Sequence, residues 1–95
     1  MPVETRPYDS ARYLDSDEAI AGYLEGAFET EDAAFIAHAF GIVARARGMT
    51  QIAKDAGLSR ESLYRALGEN GNPEFATVLK VAKALGLRLT VAAAE

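Results

Sequence analysis

The stretch TQIAKDAGLSRESLYRAL, residues 50–67, decides the fold. Thr50 is placed to cap a short helix over Gln51 to Ala56, and Gly57 is placed to stop it in a left-handed conformation. Ser59 then caps a second helix over Arg60 to Leu67, which Gly68 closes. Two helices cross closely only where a small residue faces the crossing and the turn tolerates a positive φ. Ala53 and Gly57, four residues apart, supply both. Ile52, Ala56, Leu58, Leu63 and Ala66 form the apolar lock. A plain helical bundle with a tight turn is the competing reading, and the two caps together with Ala53, Gly57 and Leu63 weaken it. The pattern is that of a helix-turn-helix with Arg60–Leu67 as its recognition helix.

Each residue expected to point outward there has a role toward DNA. Arg60 or Arg65 can take a guanine through O6 and N7, Glu61 can accept from a cytosine amino group, and Tyr64 offers a ring to a thymine methyl or a hydroxyl to phosphate. Ser59 caps the helix at the groove. Thr50 and Gln51 open the preceding helix and are placed to hold a phosphate with backbone N–H groups, as are Asn70 and Asn72 in the following loop. The competing reading makes Arg60 and Arg65 solvated charges and Glu61 an i,i+4 partner of Arg65.

Downstream, Asn72 followed by Pro73 marks a helix start, with Val78, Leu79, Ala82 and Leu85 as its buried face and Gly86 as its stop. Leu87, Leu89 and Val91 alternate with Arg88 and Thr90, a period of two that predicts a short strand. A lone strand wants a partner, so pairing with a second copy through Leu87, Leu89 and Val91 is the expected dimer contact. The alternative is that this segment covers the core edge of its own chain.

Upstream, Thr30, Glu31 and Asp32 place a cap and acids at the positive end of a helix whose stripe is Phe35, Ile36, Ala39, Phe40 and Val43, ending at Arg45, Arg47 and Gly48. Before it, Asp15 with Glu18 and the preceding Leu14 resembles a capping box with a staple, opening a helix with the stripe Ile20, Tyr23, Leu24, Ala27 and Phe28. The chain divides into an N-terminal extension over 1–31, a helix-turn-helix domain over 32–86 and a terminal strand and tail over 87–95. The fold class is all-α, with five or six helices and one C-terminal strand.

Charge separates the two halves. Residues 1–36 hold nine acids against Arg6 and Arg12, a balance of −7, while residues 37–95 hold eight bases against five acids, a balance of +3. Two surfaces with different partners are expected: DNA for the basic half and a basic protein for the acidic one. Tyr8, Tyr13, Leu14 and Tyr23 are the candidate anchors for that protein; the competing reading has them packing onto the core, with the acids repelling DNA from the wrong face.

The 95 residues, 49% apolar and 25% charged, fit one soluble domain. No cysteine and one histidine, His38, exclude a thiolate site and make a Ser-His or multi-His site improbable, so neither a metal nor a cofactor is expected. No apolar run is long enough to span a membrane, and MPVETRPYDS lacks a signal pattern, so the expected location is the cytoplasm. Paired acids such as Asp15 with Asp17 belong to helix N-termini rather than to acid–base catalysis, and an enzyme is not expected.

The residues also carry a resemblance. RARGMT (45–50) with Ile52 and Ala53, then GLSRESLYRAL (57–67), then Gly71-Asn72-Pro73 with FATVL (75–79), resembles the HigA-like addiction module antidotes, type II antitoxins with a lambda-repressor-like, Cro/CI-type helix-turn-helix. Pro7 to Asp9, Tyr13, Leu14, Ile20, Tyr23 and Leu24 fit that group's N-terminal segment, and Leu85 to Leu87 with Leu89 its close. The resemblance implies an antitoxin that binds operator DNA as a homodimer and represses its own operon. It also implies a small basic toxin partner, similar to RelE/ParE or HigB, encoded in the same operon. It does not locate the toxin-binding surface. The alternatives are a phage-type regulator without a toxin and an interaction module that does not bind DNA.

Overall fold

In the structure of the chain, a computed structural model that describes residues 14–94, five helices follow one another: α1 Asp17–Glu29, α2 Ala33–Arg47, α3 Met49–Ala56, α4 Arg60–Ala66 and α5 Phe75–Ala84. Local signals place most of their ends. Asp32 caps α2, its carboxylate accepting from the amides of Ala34 and Phe35 at 3.0 and 3.2 Å. Ser59 caps α4, accepting from the Ser62 amide at 3.0 Å. Gly57 ends α3 at φ 74°, ψ 31°, a left-handed conformation that side chains resist and that lets α4 begin three residues later.

Three expected starts move. α1 is capped by Ser16, whose hydroxyl accepts from the Ala19 amide at 3.1 Å, and Asp15 lies outside the helix. α3 begins at Met49 rather than after Thr50: Gly48 is its N-cap, Thr50 is already helical, and no side chain caps this end. α5 begins at Phe75 instead of Pro73. The Gly71 amide donates to the Gly68 carbonyl at 3.0 Å, and Glu74 is extended at ψ 154°, so the chain stays open through Pro73.

The expected C-terminal strand is a correction. No strand exists among the described residues. The Leu87 amide donates to the Ala82 carbonyl at 2.9 Å, and Leu87 and Leu89 pack against the core of their own chain. Their alternation reflects an irregular segment lying with one side on the core. Val91, the third residue of the expected contact, is 93% exposed.

The core joins all five helices. Ile20 and Leu24 of α1, Phe40 and Val43 of α2, Ile52 and Ala53 of α3, Leu63 of α4, and Val81 and Ala82 of α5 are buried together with Leu14, Leu67 and Leu85. α1 and α2 form an antiparallel hairpin. An ion pair of Arg47 Nη2 with Asp17 Oδ1 joins the last turn of α2 to the first turn of α1, where both helix dipoles favour those charges. Phe28 meets Phe40 edge to face with ring centroids 6.1 Å apart. On α5, Val81 is fully buried while Leu79, expected inside, is half exposed at the edge of the stripe.

Candidate functional site

α3 and α4 carry the residues that the sequence assigns to DNA. The inner side of this pair is fixed by burial: Ile52, Ala53 and Ala56 on α3 and Leu63 on α4 are in the core, with Leu58 of the turn packed against it. The helical period then leaves Arg60, Glu61, Tyr64 and Arg65 on the exposed side of α4. Ser59 is engaged as the cap through its oxygen, which leaves its hydroxyl proton to donate.

Arg60 lies along the helix surface toward Tyr64. Its guanidinium carbon is 5.4 Å from the ring centroid, and Nη2 is 3.5 Å from the phenol oxygen. The cation–π contact, worth about 0.5–1 kcal/mol at an exposed site, orients both groups along one face. Glu61 and Arg65, one turn apart, form no ion pair with each other. Both side chains are exposed.

Thr50 and Gln51 occupy the first turn of α3, exposed, with no side chain capping the amides of that end. Gln51 Nε2 donates to Asp55 Oδ1 at 2.9 Å, one turn along α3. Asn70 and Asn72 are exposed in the loop between α4 and α5. That loop is held close to α4: a β-carbon on Gly71 would stand 2.2 Å from the Ala66 carbonyl oxygen. The described residues thus bring Arg60 and Tyr64 into contact and set Glu61 and Arg65 beside them.

Of the four candidate toxin anchors, Tyr8 and Tyr13 lie outside the described residues. Leu14 is buried in the core, and Tyr23 is partly buried against it. The sequence reading missed the exposed aromatics of this half, Phe28 and Phe35, because it placed both on buried stripes. Elsewhere, a shallow depression of about 450 Å³ is lined by Asp55, Ala56, Lys80, Lys83 and Ala84. The described residues hold no cluster of His, Asp and Glu suited to a metal ion, and no helix long and apolar enough to cross a membrane.

The fold and this surface define a small all-helical protein with an exposed, polar helix face set on an apolar core. A family model described as "Probable addiction module antidote protein" matches residues 4–93, and the chain belongs to that family. An uncharacterized protein of Haemophilus influenzae is 48% identical over 91 residues, spanning 96% of this chain and 94% of the relative. No solved structure matches the chain. An antidote implies a toxin as its partner and a regulatory rather than a catalytic role.

Proposed function

We propose that this antidote is a type II antitoxin of the HigA-like kind, with residues 32–86 forming a lambda-repressor-like domain that binds operator DNA as a dimer and represses its own operon. α3 and α4 act as the helix-turn-helix, and α4 enters the major groove. The observation that carries the reading is the two-sidedness of α4, whose Leu63 is fully buried while Arg60, Glu61, Tyr64 and Arg65 are exposed. Those four side chains match the donors and acceptors of base edges, and two of them are arginines, the side chain best suited to guanine. The uncapped first turn of α3 supports a phosphate contact through the amides near Thr50 and Gln51, with Asn70 and Asn72 as further backbone contacts.

Neutralisation is the second half of the function. The partner is a small basic toxin, similar to RelE/ParE or HigB, encoded beside the antidote and held by protein–protein contact. Both activities operate in the cytoplasm, where DNA and a freshly made toxin are accessible.

The test is co-expression of the chain with the product of the neighbouring reading frame, and a gel-shift assay on the promoter upstream of the pair. Rescued growth together with a retarded promoter duplex is the expected result. Rescue without any promoter binding would overturn the repressor half of the reading.

A further inference from the structure

The α1–α2 hairpin turns at Thr30, Glu31 and Asp32, and an exposed phenylalanine stands on each side of the turn. Phe28, two residues before it, is 42% exposed, and Phe35, three residues after it, is 47% exposed. Both are held on defined backbone. The Phe28 ring is braced edge to face by buried Phe40, and the Phe35 amide is bound by the Asp32 cap at 3.2 Å. The Phe28 ring, already held against Phe40, loses little entropy when a partner covers it, and Phe35 stands on a backbone fixed by the cap, the properties of interface anchors.

The charge around them selects the partner. From Leu14 to Ala44 the chain carries Asp15, Asp17, Glu18, Glu25, Glu29, Glu31 and Asp32 and no lysine or arginine. All seven acids are exposed, and four of them lie on the last turns of α1 or in the turn itself. Glu29 ends α1, where the helix dipole disfavours an anion, and no base stands in that last turn to offset it. A second copy of this chain would bring the same acids against themselves, and DNA phosphates would be repelled. A basic protein surface is the occupant that both the aromatics and the carboxylates accept.

We propose that the tip of the α1–α2 hairpin is the toxin-docking surface of this antidote, with Phe28 and Phe35 as anchors and Glu25, Glu29 and Glu31 meeting basic side chains of the toxin. The proposal rests on the neutralising role inferred above and places it on the opposite charge half from the DNA-reading helix. DNA binding and toxin binding then use separate elements, so one chain can hold both partners.

The experiment uses the full chain and the purified toxin from the neighbouring reading frame, with binding followed by calorimetry and stopped-flow at two salt concentrations. Phe35→Ser should weaken toxin affinity at least about tenfold, as for an anchor residue. Glu25→Lys combined with Glu29→Lys should slow association on the order of tenfold and remove most of its salt dependence. Both variants should keep wild-type promoter binding and the wild-type circular dichroism spectrum at the assay temperature. Unchanged toxin affinity in both variants, with the wild type binding, would overturn the surface and leave the neutralising role intact. A Phe35→Ser chain that turns from dimer to monomer in sedimentation would instead make this face an interface between copies and overturn the proposal. A wild-type chain that fails to bind the toxin at all would overturn the neutralising role itself and the surface with it.

Discussion

Gly41, midway along α2, lies so close to Leu67 at the end of α4 that a β-carbon on it would stand 2.7 Å from the Leu67 carbonyl oxygen. That approach sets the C-cap of α4 directly against α2. Leu67 is buried and its amide bonds back to the Leu63 carbonyl at 3.0 Å, so the neighbouring backbone has little room to yield.

Gly41→Ala should therefore destabilise the fold although alanine is the better helix former. The expected loss is about 1–3 kcal/mol, the range for overpacking a tight core. Chemical denaturation of the variant against the wild type checks it. An unchanged or raised midpoint would mean that α2 and α4 are not in close contact.

Arg60→Ala and Arg65→Ala should weaken promoter binding by ~1–3 kcal/mol wherever the lost contact is bidentate to guanine, and should relax base preference at one position of each half-site. The Arg60 variant also releases Tyr64, so the pair should be non-additive with Tyr64→Phe. Thr50→Ala should lower affinity more evenly across sequences, as loss of a phosphate contact does. Binding measured on a set of single-base promoter variants separates the two behaviours.

Truncation after Gly86 should lower stability, because Leu87 and Leu89 cover the core of their own chain. The loss expected is about 1–3 kcal/mol for two partly buried leucines. A truncated chain with the wild-type melting temperature but no dimer in sedimentation would instead restore the strand-like contact that the sequence pattern alone predicts.

Glu31, in the α1–α2 turn, has φ 56°, a left-handed conformation that a non-glycine residue adopts at a cost. Glu31→Gly should relieve it and raise stability by about 0.5–1 kcal/mol. The same change removes a carboxylate from the proposed toxin surface, so toxin association should slow while the melting temperature rises. Stability and toxin binding moving in opposite directions is the expected signature.

Much of this fold is legible in the chain because its signals are local. Ser59 caps α4 by bonding an amide three residues away, and Gly57 ends α3 with its own dihedral angles. Where two residues compete for one role, local chemistry does not choose. Ser16 rather than Asp15 caps α1, and Gly48 rather than Thr50 precedes α3. The alternation of Leu87, Leu89 and Val91 reports one-sided burial and says nothing about a pairing partner. The α4 face could be proposed from spacing, since Leu63 fixes which side turns inward. Phe28 and Phe35 could not, because periodicity assigns a face of a helix without telling how much of that face a neighbour covers.

The most direct measurement of the central reading is fluorescence anisotropy of the full chain on its own promoter duplex and on a scrambled duplex, at about 150 mM salt. If α4 reads bases as proposed, the promoter should bind at least about a thousandfold more tightly than the scrambled duplex. Equal affinity for the two duplexes, or no binding to either, would contradict it.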